Sequence, residues 1–218
     1  AEKFIELFQI DPGGNFEGRS ILHRTGDDSQ AAESLECTLA EFYQRLGWWR
    51  QTLWDIRQKR PRPETDAKGI LFWNGLMIRG LAAGFRATGR AEYRSAAETC
   101  WSWLTSHRDP QGNLFRFFQD GMGYGKGFLE DYAAVINAGL DLFDLTLDAQ
   151  VLETCRALAR EMDDLFYDPE SGLYFFSRPD DSSLPLRIKD VDDNVVPSGN
   201  TLALEADFRL ASIRSDCV

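Results

Sequence analysis

The chain of 218 residues reads as an all-α protein made of repeated helical hairpins. Two stretches, 70–88 and 128–146, are apolar nearly all round, as helices buried on every side must be. Each is followed by an amphipathic stretch suited to covering it, at 91–107 and 149–166. Each pair then ends at an Asp-Pro turn, Asp109-Pro110 and Asp168-Pro169, and these lie 59 residues apart. A hairpin that recurs at a fixed period buries its face against its neighbours and builds a solenoid or a closed ring. Two turns in register favour the ring.

In chain order, residues 1–30 read as an irregular N-terminal segment and 31–69 as a helical lead-in with one or two helices. The first hairpin unit spans 70–118. Its inner helix carries the small residues Gly75, Gly80, Ala82, Ala83 and Gly84. Its outer helix sets Tyr93, Ala97, Cys100, Trp101 and Leu104 at helical spacing. The turn Asp109-Pro110-Gln111-Gly112-Asn113 leads into a strand-like run, Leu114 to Phe118. The second unit, 119–178, opens with Gly121-Met122-Gly123-Tyr124-Gly125, read as a loop at the rim because it lacks the Lys-Ser/Thr of a phosphate-binding loop. Its inner and outer helices follow, then the turn Asp168 to Gly172 and the strand-like Leu173 to Phe176. Residues 179–218 hold a polar, Pro-containing insertion to about 197 and a third inner helix at 198–213, which completes a partial ring in a single domain.

Hydrophobic residues at 43% and charged residues at 27% supply an ordinary core and exclude wholesale disorder. The net charge of -11 argues against nucleic acid and anionic membranes as partners. No apolar run approaches the roughly 20 residues of a membrane span. The chain starts Ala-Glu-Lys with no signal segment, and both ends read as cut. Cys37, Cys100, Cys155 and Cys217 are far apart and form no CxxC. They read as free thiols in a reducing compartment, with the cytoplasm as the default location.

Inner helices of successive hairpins run parallel, so their N-termini gather on one rim with their free amides and positive dipole ends. There the sequence places Trp73 and Asn74, then Glu130, Asp131 and Tyr132, then Ser198 and Asn200. Aromatic faces beside carboxylates and amides suit a sugar, whose apolar face stacks on a ring while its hydroxyls take polar groups. Glu130, Asp131 and Asp193 are the candidate general acid and base, with Asp66, Asp190 and Asp192 as further sources of the second carboxylate. Lys68 and Lys189 precede rim motifs as candidate anion partners. Plainer roles stay open: Trp73 as core, Glu130 or Asp131 as a first-turn acid, Ser198 as a helix start, each Lys as solvated surface. His107 closes an outer helix and His23 sits in the N-terminal loop. There is no HExxH, GxSxG or Ser/His/Asp arrangement, so neither a metal nor a cofactor is expected.

Four ordered motifs carry a family resemblance. They are Asn15-Phe16-Glu17-Gly18-Arg19-Ser20-Ile21-Leu22; the run from Arg57 through Lys59, Arg60, Pro63, Asp66 and Lys68 to Trp73-Asn74-Gly75-Leu76-Met77-Ile78; Phe128-Leu129-Glu130-Asp131-Tyr132-Ala133; and Asp193 with Pro197-Ser198-Gly199-Asn200. In these the chain resembles the YyaL-like, spermatogenesis-associated-protein-20-like family over nearly its whole length. The resemblance implies a long protein with a thioredoxin-like domain first and then a six-hairpin α/α toroid, like those of N-acylglucosamine 2-epimerases and several glycosidases. This chain matches the toroid part only. At the observed period six hairpins need about 350 residues, so the ring is expected to be incomplete, with exposed edges suited to a homo-oligomer. The 2-epimerases of the wider fold use paired histidines, which the predicted inner helices lack. Carboxylate chemistry of the glycoside hydrolase or sugar isomerase kind fits better. The alternative is a non-catalytic scaffold that binds a partner and works with a thioredoxin-like domain.

Overall fold

A computed structural model describes residues 2–24, 26–181 and 184–213. Cys217 lies outside them. The chain divides into two compact units, Ala1–Thr65 and Asp66–Val218.

In the first unit, the segment expected to be irregular begins with a short helix, α1 (Glu2–Leu7), followed by α2 (Asp28–Ser34) and α3 (Leu39–Gln58). Asp27 and Thr38 cap α2 and α3, each in a reciprocal box with Gln30 or Glu41 three residues on. Ala31, Ala32, Leu35 and Phe42 form the unit's small core, and Phe4, Phe8 and Trp49 cluster beside it. The Asn15 motif is a tight turn. Asn15 accepts from the Ile21 amide at 2.7 Å and donates back to the Ile21 carbonyl at 3.0 Å. Glu17 and Gly18 take φ of 47° and 72°, the left-handed pair such a turn requires.

The second unit holds the hairpins. Strand β1 (Gly69–Ile70) leads into the inner helix α4 (Leu71–Thr88), covered by the outer helix α5 (Ala91–Ser106). Strands β2 (Phe115–Gln119) and β3 (Met122–Lys126) follow, then the inner helix α6 (Leu129–Thr146) and its outer partner α7 (Ala149–Phe166). Strands β4 (Tyr167–Asp168) and β5 (Leu173–Tyr174) pair before the third inner helix, α8 (Gly199–Ser212). The Gly-rich run expected as a loop is thus largely a strand. Asp120 and Gly121, at φ 52° and 77°, form a two-residue hairpin turn, and β3 pairs antiparallel with β2 while β1 pairs on its other side. Gly123 is needed because the ring of Phe115 lies where a side chain would go.

Helix α6 is the centre. It packs against α4, α7 and α8, and every residue from Asp131 to Leu142 is buried. Such packing needs small residues. A Cβ on Gly75 of α4 would sit 2.8 Å from Ala134 Cβ and 2.9 Å from its backbone carbon, and one on Gly139 would meet Cys155 and Trp101. Burial pushes the Cys155 thiol up to about 12, as expected of an inert core cysteine.

Replacing Gly75 by Ala forces two inner helices apart, at a cost of about 1–3 kcal/mol for overpacking. The same change at Gly80, where nothing lies within 4 Å of the added atom, gains helix propensity of up to ~1 kcal/mol. Opposite shifts of the urea midpoint for the two variants are expected; shifts of one sign would contradict the close approach.

Candidate functional site

The N-terminal ends of the three inner helices meet. Asp131, fully buried in the first turn of α6, accepts the Phe72 amide of α4 through Oδ1 at 3.0 Å and the Phe128 amide of its own helix start through Oδ2 at 2.9 Å. On the other side, a Cβ on Gly199 of α8 would lie 3.0 Å from Leu129 and 3.4 Å from the Glu130 amide. One acid therefore satisfies free amides of two helices at once, as orphan helix-start donors require.

Arg116, from β2, completes the arrangement. Its Nη1 lies 2.8 and 2.9 Å from the two Asp131 oxygens and 2.7 Å from Glu130 Oε1. Its guanidinium also sits 5.1 Å from the ring centroid of Phe128, which stacks on Phe176 at 4.7 Å. The strand–helix spacing gives no local sign of this partner. Arg116 leaves Glu130 in a distinct position. Asp131 has three donor groups around it, two amides and Arg116 Nη1, and no exposure, whereas the Glu130 side chain keeps 19%. Neighbours on a helix point about 100° apart, which is why one acid faces inward and the next reaches the surface.

The remaining candidates fall into separate places. Tyr132 is in the core, its hydroxyl accepting the Leu114 amide at 3.2 Å and its ring set edge-on to Phe166. At the start of α8, Ser198 is the cap, its Oγ accepting from the Thr201 amide at 3.1 Å. Exposed Asp193 accepts from the Ser198 amide and the Thr201 hydroxyl, both at 2.8 Å, and these bonds hold its carboxyl below the usual range. Buried Asn200 ties β5 and the insertion to α8, exchanging hydrogen bonds with the Tyr174 backbone at 2.8 and 2.9 Å and donating to the Asp190 carbonyl at 2.9 Å. Lys68 pairs with Asp66 at 3.0 Å, and Lys189 with Asp168 and Ser171. Trp73 is 62% exposed, so it is not a core residue. Asn74 lines a cavity of about 250 Å³ between α4, α5 and the β1–β3 sheet. His107 closes α5, within 2.7 Å of the Trp103 carbonyl and stacked on the Trp103 ring. The described residues contain no metal-binding group of acids, Cys and His.

Burial pushes the Asp131 carboxyl up to about 6, against the downward pull of Arg116 and the Phe128 amide; its ordinary value is 3.8. A group raised on folding holds its proton more tightly in the native state. Its contribution to stability is therefore full below the unfolded value and is lost as pH rises through the folded one. Between about pH 4 and pH 6 the wild-type chain is expected to lose on the order of 2–3 kcal/mol relative to Asp131→Asn, read by urea unfolding. A difference that does not change with pH would overturn the assignment.

No family model matches the chain. Its sequence is 32% identical over 220 residues to mouse spermatogenesis-associated protein 20, a match that covers 93% of this chain and 27% of that protein. The human counterpart is 32% identical over 218 residues, covering 92% and 27%. The chain thus spans little more than a quarter of the length of these relatives. The cellobiose 2-epimerase of Bacillus thermoamylovorans B4167 superposes with a TM-score of 0.57 at 15% identity, over 72% of this chain and 42% of that one. The unsaturated glucuronyl hydrolase of Bacillus sp. GL1 does so at 0.54 and 17%, over 73% and 45%. These likenesses establish the fold, an α/α toroid of helical hairpins. By sequence, the chain is similar to about a quarter of spermatogenesis-associated protein 20, and this stretch has the fold of helical hairpins.

Proposed function

We propose that the rim where α4, α6 and α8 begin binds a sugar and acts on it by carboxylate chemistry, hydrolysing or isomerising it. The observation that carries this reading is Glu130, partly exposed at the junction of three helix starts and held by Arg116, which is itself held by buried Asp131. In it, Glu130 accepts sugar hydroxyls and exchanges the proton, Asp131 and Arg116 are positioning residues, and Asp193 supplies the second carboxylate from the α8 side. Ser198 and Asn200 shape that side, exposed Trp73 offers a ring to the sugar's apolar face, and Lys68, paired with Asp66, borders the site. Support comes from the fold, which is shared with enzymes named for cellobiose epimerisation and for glycosaminoglycan degradation. Both histidines of the chain lie off the inner helices, which favours carboxylates over histidine-dependent epimerisation.

Calorimetry of the whole chain against neutral mono- and disaccharides and unsaturated uronides tests the reading. At least one should bind, and Glu130→Gln should weaken it by about 1.5–3 kcal/mol, roughly ten- to a hundredfold, as for a hydrogen bond to a charged group. If none of these sugars binds, the reading fails.

A separate observation favours a partner-binding scaffold. Helix α4 leaves Met77 62% exposed beside Trp73, and α8 leaves Phe208 74% exposed beside Leu204. Contiguous apolar faces of this kind mark interaction surfaces. In this reading the edges of the array pack against those of a second copy. Sedimentation is expected to show an oligomer that Phe208→Glu dissociates; a wild-type monomer at high concentration would rule it out.

A further inference from the structure

The cavity beside Asn74 is built differently from the rim. Its walls are Trp103 and Leu104 of α5, Phe118 of β2, and Asn74 of α4 with Cys100 behind it; the Asp120-Gly121 turn stands at its edge. Its charged group is the Asp120 carboxylate, and its polar side chains are the amides of Asn74 and Gln119. The Asn74 amide donates to the Ile70 carbonyl at 2.8 Å, while its Oδ1 receives only the Cys100 thiol at 3.8 Å, a weak donor at long range. Burial pushes that thiol above its ordinary range, so it stays neutral. Asp120 is exposed, and no described cation pairs with it. Among the described residues, no Lys, Arg or His lines the space. Trp103 and Phe118, edge to face at 4.4 Å, supply aromatic surface.

An aromatic wall, a free carboxylate, an under-used amide oxygen and no cation together disfavour anions and favour a positive charge on a small apolar body. The chain's net charge of -11 adds to this. About 250 Å³ lies below the range of drug-sized sites, so the ligand is small. We propose that this cavity binds a small organic amine, its ammonium group between Asp120 and the Asn74 oxygen and its apolar part against Trp103 and Phe118. The site shares none of its lining with Glu130, Asp131 or Arg116, and it stands whether or not the rim takes a sugar.

Titrating the whole chain with butylamine and tyramine, followed by tryptophan fluorescence and calorimetry, tests this. Butanol and butyrate serve as the neutral and anionic matches. A ligand of so few atoms in a partly open site is expected to bind with a Kd of about a millimolar, weaker than the ceiling of about 1.5 kcal/mol per non-hydrogen atom allows. The amines are expected to bind at that level, butanol at least tenfold more weakly and butyrate not at all. Asp120→Asn, which keeps a residue tolerant of the left-handed turn, should weaken amine binding about tenfold, and Trp103→Ala should abolish it. Because Trp103 also packs on Phe118 and His107, Asp120→Asn is the deciding variant. The proposal falls if the amines do not bind, if butanol binds as well as butylamine, or if Asp120→Asn binds amines as the wild type does.

Discussion

Three polar residues sit in the fully buried stretch of one helix, and their needs fix how the hairpins are assembled. Asp131, Asn137 and Asp141 are all buried on α6. A buried charge or amide without partners costs several kcal/mol, so each must find them in a neighbouring element. Asp131 finds α4 and β2. Asn137 donates to the Leu202 carbonyl of α8 at 2.8 Å. Asp141 takes Arg79 of α4 at 3.0 Å and Arg209 of α8 at 2.9 Å. Apart from the close fit of Gly75 against Ala134, apolar packing leaves α4 and α8 some freedom to slide along α6. Three paired groups at different heights remove that freedom and set the helices so that their first turns are level.

The level first turns then create the rim. Glu130 has no partner on its own helix that would fix it; Arg116 does so, and Arg116 is fixed by Asp131. The structural acid and the exposed acid are therefore one unit divided by burial. The β2–β3 hairpin belongs to this unit as well, because it delivers Arg116 from outside the helical layer. Its tight Asp120-Gly121 turn and the stacked Phe117–Tyr124 pair keep the strand in register for that task.

The helices were legible because their signals are local. All-round apolarity marked α4 and α6, but only α6 has a stretch buried on every side, since α4 leaves Trp73 and Met77 exposed; Asp-Pro turns marked the hairpin ends, and the Asp109 and Asp168 side chains do bind the amides two residues on, of Gln111 and Glu170. Strand β3 was missed because Gly121, Gly123 and Gly125 read as loop. The strand exists by pairing with β2, and Gly123 serves a ring that the local sequence does not place. Proximity of Trp73 to Asn74 suggested a shared role, but adjacent helical positions diverge: one is exposed and the other turns towards α5. Arg116 was invisible for a related reason, since its partners lie beyond a hairpin turn and arise only from the tertiary fold.

Further along the helices, charge is consumed internally. Arg79 forks onto both Glu205 oxygens at 2.6 and 3.0 Å while holding Asp141, and Arg209 bridges Asp141 and Asp144. Each of these groups already has an opposite charge, so displacing any one by a ligand would leave a partly buried partner uncompensated, at a cost that a neutral sugar's hydroxyls do not repay. The first turns differ. There the buried acid is saturated, but Glu130 retains exposure beside a guanidinium that is already held in place, so a ligand can add to the arrangement without breaking it. The proposed recognition therefore falls on the rim, and the ion lattice beneath keeps the rim in shape.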